Sequence, residues 1–205
     1  MSLLLALAST SLCLAQFDGG VFMSVGRGTS GSSRNVYFVR HGEAGKNKVD
    51  HPDPRDQSLD RLTDLGRQQA LNTGGRLAPM RLTAVISAPE QRCRDTALAI
   101  TMYSALPPAS VDGSLTSKAY DSESAEHRAS RGTSAVERFI AATLGDVAVV
   151  THGHMIELIT SRLLGEKLQG DVLKRELVNA GVKHLRLSAQ GKWTLVGSNQ
   201  TVVDD

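Results

Sequence analysis

The chain has 205 residues, 40% of them hydrophobic, which suits a single domain with a sizeable core. A net charge of +2 and an aromatic content of 4% argue against a nucleic-acid or acidic-membrane partner and against a stacking platform for single strands. The two cysteines, Cys13 and Cys93, suggest neither a disulfide framework nor a metal-ligand cluster, and the six histidines include no His-Glu-x-x-His pair.

Ser2–Ala15 is an apolar run too short to span a bilayer. It resembles the hydrophobic region of a secretory signal, with Cys13 and Ala15 as small residues before a cut. On that reading the protein enters the secretory pathway, Cys93 is left as an unpaired thiol, and the sequon Asn199-Gln200-Thr201 is compatible with secretion. No Lys or Arg precedes the run, so a buried N-terminal helix, a second start at Met23 or a cytoplasmic protein stays open. Phe17–Ser33 is rich in Gly and Ser and reads as a flexible lead-in. Residues 1–33 are therefore expected to precede a domain over residues 34–205.

Val36–Val39 reads as a short strand buried on both faces. It ends at Arg40-His41-Gly42, which delivers a guanidinium and an imidazole to the carboxyl edge of a sheet, where open α/β sheets bind ligands. The residue types suit a nucleophile beside a phosphate-binding group; an ordinary strand end with a solvated Arg and His is the plain alternative. Ala44–Leu62 is polar, carries Pro52 and Pro54 and reads as a loop. A helix then opens at Thr63, a good cap, and Asp64. Leu65, Leu71 and Leu77, with Ala70 and the glycines between, are expected to pack it on the sheet until Pro79 ends it.

Leu82–Ile86 is a second buried strand, followed by a helix that Pro89 starts. Arg92 and Thr96 lie one turn apart on that helix, so Arg92 would project near the edge that carries His41; taken alone, an ordinary surface arginine on an amphipathic helix is the stronger reading. Leu106–Ser134 reads as irregular, and Thr133–Leu144 as a short amphipathic helix with Ala135, Val136, Phe139 and Ile140 inward. Gly145 stops it. Asp146–Val150 is a third buried strand, ending in Thr151-His152-Gly153-His154, before a helix over Met155–Leu164. A second strand thus ends in a histidine and a glycine. Val182–Leu187 and Trp193–Val196, hinged at Gln190-Gly191, read as a terminal hairpin, with Trp193 packed in the core.

In this order the pieces resemble the histidine phosphatase superfamily, the phosphoglycerate-mutase-like proteins, over roughly residues 35–200. The resemblance rests on Arg40-His41-Gly42-Glu43 with Asn47; on Leu62-Thr63, Gly66, Gln69 and Ala70; on Ser87, Pro89, Arg92, Thr96 and Ala97; and on Thr151-His152-Gly153. Asn179-Ala180-Gly181-Val182 and Trp193 also resemble the family's final strands. It implies an α/β three-layer sandwich, a mostly parallel sheet with helices on both faces and a small cap. It implies His41 as the nucleophile that becomes a phosphohistidine, and Arg40, Arg92 and His152 as the other corners of a phosphate pocket. Glu43, Asn47 and Gly153 are implied as substrate-binding or orienting groups. No metal and no cofactor is implied; the partner is a phosphorylated small molecule or a phosphoprotein.

The sequence departs from the family at the proton donor. Ser117 stands where the family places a glutamate or aspartate, and a serine holds its proton too tightly to serve. Glu123 is the favoured substitute, with Asp121 and Glu90 as alternatives. The expected activity is hydrolysis of phosphomonoesters or phosphoramidates. A non-catalytic phosphate-binding or scaffold member is the alternative, ahead of a phosphomutase, which needs a larger cap to retain its released intermediate.

Overall fold

The computed structural model describes residues 32–48, 56–119, 122–169 and 177–199. The signal-like run Ser2–Ala15 and Asp121 lie outside them. Among the described residues six strands form one sheet in the order β3-β2-β4-β1-β5-β6. They are β1 (Arg34–Arg40), β2 (Ala84–Ser87), β3 (Ser110–Val111), β4 (Val147–Thr151), β5 (Val182–Leu187) and β6 (Trp193–Asn199). The pairs β1–β4, β2–β4 and β2–β3 are parallel; the terminal hairpin adds β5 and β6 antiparallel. Strands β1 and β4 are the central pair. Val36 to Val39 and all of Val147 to Thr151 are buried, as strands covered on both faces must be.

The connections are helices α1 (Asp64–Leu77), α2 (Gln91–Tyr103), α3 (Ala125–Ala142) and α4 (Gly153–Leu163). Helices α1 and α2 pack as one pair and α3 and α4 as another, giving the expected layers on either side of the sheet. The core between them is filled by Phe38, Ile100, Leu115, Met155, Ile156 and Leu185. Trp193 is only partly buried at its margin.

Two elements differ from the sequence reading. Helix α1 starts where expected, with the Thr63 hydroxyl accepting from Gly66 N–H at 3.0 Å, but Leu65 and Leu71 are exposed. Its packed face is Gly66, Gln69, Ala70, Thr73, Gly74 and Leu77. Small residues win here because neighbouring backbone comes so close: a Cβ on Gly74 would lie 2.8 Å from the Ala99 carbonyl oxygen of α2. Helix α3 begins at Ala125, well before Thr133. Ser124 caps it by accepting from His127 N–H at 3.2 Å. Its first turns carry Glu126, His127, Arg128 and Arg131, and these polar residues hide the buried stripe of Ala129 and Gly132.

Candidate active site

The register of the central pair builds the site. Arg40 of β1 stands opposite Thr151 of β4, and His41 N–H donates to the Thr151 carbonyl at 3.0 Å. The next residues along each strand, His41 and His152, must therefore emerge side by side at the carboxyl edge. Their rings sit edge to face with centroids 5.2 Å apart. Both are buried.

Helix α2 supplies the third group. Arg92 lies in its first turn, and the guanidinium reaches between the two imidazoles. Nε donates to His41 Nε2 at 3.1 Å, and Nη2 donates to His152 Nδ1 at 3.1 Å. Nη1 is held by the Asp60 carboxylate, whose other oxygen accepts from Gln91 N–H at 2.8 Å and so caps α2. One aspartate thus fixes both the helix end and the arginine.

These contacts determine tautomers, because a carbonyl only accepts and a guanidinium only donates. His41 Nδ1 lies 2.8 Å from the Gly42 carbonyl, so Nδ1 carries the proton. Nε2 then carries the lone pair that Arg92 addresses. In His152 the roles are reversed: Nδ1 accepts from Arg92 and Nε2–H donates to Glu90 at 2.9 Å. Burial, with the charges of His152, Arg92 and Arg40, holds His41 well below the ordinary imidazole pKa. Burial also lowers His152, against the pull of its Glu90 hydrogen bond. Glu90 is itself buried, which favours its neutral form. The hydrogen bond and charge of His152 and the Thr116 hydroxyl outweigh burial and bring it down to about 2.

Arg40 is anchored from behind. Its Nη1 donates to the Leu177 carbonyl, and its own N–H donates to Gly181 O at 3.0 Å. Ala180 N–H donates to the His41 carbonyl at 3.1 Å, so the stretch before β5 clasps the end of β1. Gly153 opens α4 directly after His152.

Three expected site residues have other surroundings. Glu123, the favoured proton donor of the sequence reading, forks its carboxylate onto Arg131 at 2.8 and 3.1 Å, and Arg131 also binds the carbonyls of Ser114, Thr116 and Lys118. The pair pins the 114–118 segment, and Glu123 sits in it as an ion-pair partner. Glu43 accepts from the Thr63 hydroxyl at 2.6 Å and meets Lys48 at 3.3 Å, tying the turn after β1 to the start of α1. Asn47 is exposed, and its Oδ1 accepts from Ala44 N–H at 2.9 Å, closing that turn. Glu90, an alternative in the sequence reading, is the carboxylate that meets His152.

Asp60 and Cys93 were not legible in the sequence. Asp60 lies in a stretch that reads as solvated loop. Cys93 reads in the sequence as a lone thiol, yet its Sγ is 3.7 Å from His152 Nε2. Glu90, Cys93 and His152 place one carboxylate, one sulfur and one nitrogen ligand atom within 4.8 Å of each other, all three residues buried. They are the group among the described residues with the means to hold a metal ion.

Comparisons with known proteins agree with this architecture. The family model described as histidine phosphatase superfamily (branch 1) matches residues 36–116 and 111–201. No curated protein matches the chain. Among solved structures, a mycobacterial glucosyl-3-phosphoglycerate phosphatase complexed with VO3 superposes with a TM-score of 0.72 at 20% identity, over 82% of this chain and 100% of that one. Bacillus stearothermophilus YhfR gives 0.70 at 19% identity, over 82% and 98%. A phosphoserine phosphatase from Entamoeba histolytica, in complex with 3-phosphoglyceric acid, gives 0.69 at 16% identity, again over 82% and 98%. At such identities the likeness is one of fold, and the family model is what assigns the lineage: this chain belongs to branch 1 of the histidine phosphatase superfamily.

Proposed function

We propose that the protein is a phosphatase that hydrolyses phosphomonoesters or phosphoramidates through a covalent phosphohistidine on His41. One observation carries the reading. His41 is held neutral, with its Nδ1 proton on the Gly42 carbonyl and its Nε2 lone pair turned to the guanidinium of Arg92. Such a nitrogen is a ready nucleophile, and the guanidinium beside it is where phosphate oxygens bind. Phosphoryl transfer asks mostly for positioning and for cancellation of charge on the equatorial oxygens. Arg92, Arg40 and His152 supply both. Nε2 forms a bond to phosphorus as the bond to the leaving oxygen or nitrogen breaks. Water then attacks the phosphohistidine, which releases phosphate and returns the electron pair to Nε2. The phosphatases among the structural neighbours, one bound to VO3 and one to 3-phosphoglyceric acid, support a phosphorylated small molecule as substrate.

The proton for the leaving group comes from His152, with Glu90 behind it. When a phosphate anion draws Arg92 away, Nδ1 of His152 is free to take a proton from the incoming phosphate monoanion or from solvent and pass it to the leaving group, and the Glu90 carboxylate stabilises the imidazolium through Nε2–H. The fork of Glu123 on Arg131 supports placing that role on His152 and Glu90 instead.

The test is turnover of p-nitrophenyl phosphate beside a His41→Ala control, with an acid-labile phosphoenzyme trapped in the wild type and inhibition by vanadate. A second reading, a phosphate-binding member without turnover, is favoured by the ionised state of Glu90, which leaves no neutral carboxylic acid beside His152. Phosphate binding without turnover or phosphoenzyme would select it. Release of a rearranged phosphate ester in place of inorganic phosphate would select a mutase.

A further inference from the structure

We propose that Glu90, Cys93 and His152 form a binding site for a borderline-soft divalent cation, with Zn²⁺ as the probe, on the far side of His152 from His41 Nε2's partner Arg92. The ligand set is a carboxylate, a thiolate and an imidazole, which selects zinc-like ions over magnesium or calcium. Glu90 and Cys93 are three residues apart at the start of α2, so both project from one face of the helix. His152 Nε2 completes the set, at 2.9 Å from Glu90 Oε2 and 3.7 Å from Cys93 Sγ. In a tetrahedral zinc site with ordinary bond lengths the nitrogen and sulfur ligands lie about 3.6 Å apart, and the nitrogen and oxygen ligands about 3.4 Å apart. The sulfur is already at that separation, and the carboxylate has to withdraw by about 0.5 Å to make room. The hydrogen bond that Thr116 donates to Glu90 Oε1 orients the carboxylate from outside the trio, as supporting hydrogen bonds do around metal ligands.

The Cys93 thiol proton leaves to solvent, and the sulfur binds as thiolate. The Nε2 proton of His152 leaves, and Nδ1 takes one up, so the ring stays neutral. One proton is released per cation. Nδ1, now protonated, no longer accepts from Arg92 Nη2–H, and Glu90 no longer supports an imidazolium. Zinc is therefore an inhibitor of the hydrolysis proposed above. That consequence alone rests on the phosphatase reading; the site itself does not.

Titration of the full chain with Co²⁺ tests the site, because cobalt bound to thiolate gives a charge-transfer band. One equivalent of Co²⁺ should produce the band, Zn²⁺ should displace it, and one proton should be released per cation. Cys13→Ser should keep the band and Cys93→Ser should abolish it. Glu90→Gln should weaken Co²⁺ binding at least tenfold, and decides the matter if the Cys93 variant does not fold. The proposal is overturned if the wild type gives no thiolate band, if the band survives Cys93→Ser or disappears in Cys13→Ser, or if Glu90→Gln binds as the wild type does. Zinc inhibition of p-nitrophenyl phosphate hydrolysis should be lost in Cys93→Ser; a wild type that binds zinc and does not hydrolyse the ester would leave the site standing and remove the phosphatase reading.

Discussion

Arg92 has different partners on its three nitrogens, His41, His152 and Asp60, and through them it sets the protonation of both imidazoles. Glu90 closes the chain on the far side of His152. If His152 backed by Glu90 protonates the leaving group, Glu90→Gln should slow alkyl phosphates by about a hundredfold, within the usual range for general acid catalysis. Aryl phosphates, whose leaving groups need little help, should slow much less. Equal slowing of a matched alkyl and aryl pair would leave Glu90 a structural carboxylate. The buried imidazoles also leave a mark on stability. His41 and His152 have lowered pKa values in the folded state, so below the unfolded value of about 6.5 the unfolded chain binds more protons. Stability contributed by their neutral burial is full above that pH and falls as pH drops through it. Glu90 acts in a separate window, below the ordinary carboxylate range. Urea unfolding between pH 6.5 and 5 should show His41→Gln reducing the slope by up to about 1.4 kcal/mol per pH unit, one proton's worth. An unchanged slope would mean that His41 titrates alike in both states. Of these residues, Arg40, His41, Arg92 and His152 were legible because each stands at a strand or helix end that periodicity locates. Asp60 and Cys93 were not, because their partners lie about 30 and about 60 residues away and no local pattern announces them.

At the scale of elements, the resemblance carried by Leu62-Thr63, Gly66, Gln69 and Ala70 has a steric meaning. The start of α1 presses against the turn after β1, and a Cβ on Gly66 would lie 1.9 Å from the Glu43 carbonyl oxygen. A Cβ on Gly42 would in turn meet the Gly66 carbonyl oxygen at 2.4 Å. Neither contact involves a side chain that can swing aside. Around it, Glu43 N–H donates to Gln69 Oε1 at 2.9 Å, Thr63 N–H to Glu43 O at 3.0 Å, and Gly42 N–H to Thr96 Oγ1 at 3.0 Å. Helices α1 and α2 therefore both grip the backbone that carries His41. Gly66→Ala should cost about 3 kcal/mol or more in urea unfolding and should lower activity by shifting the turn. Gly113→Ala, at a position with open space around it, should stay within about 0.5 kcal/mol. The strands and the helix starts could be read from apolar runs and caps. The packing face of α1 could be read only in part: Ala70, Leu77 and the glycines are on it, while Leu65 and Leu71 mimic a core stripe and are exposed. The first turns of α3 were missed for the opposite reason, an excess of polar residues over a narrow buried stripe of small ones.

At the scale of the molecule, the site has no local existence. Its groups come from the ends of β1 and β4, the first turn of α2, the turn at Gln57–Asp60 and the clasp at residues 177–181. Only the parallel register of β1 with β4 and the packing of α2 on the sheet bring them together, so the unfolded chain has no counterpart of the pocket. An anion that binds there must then stabilise the fold by mass action. Vanadate or phosphate at about a hundred times its dissociation constant should add about 2.7 kcal/mol, which for a chain of this size raises Tm by roughly 5–10 °C. Arg92→Ala removes the guanidinium shared by both imidazoles and should abolish the shift while leaving the far-ultraviolet dichroism as in the wild type. His41→Ala should keep much of the phosphate shift, since it removes the nucleophile and leaves Arg40, Arg92 and His152 to bind the oxygens. The two variants thus separate binding from bond-making in a measurement that needs no turnover. A wild-type Tm that ignores both anions would show that these groups, close as they are, do not form an anion hole.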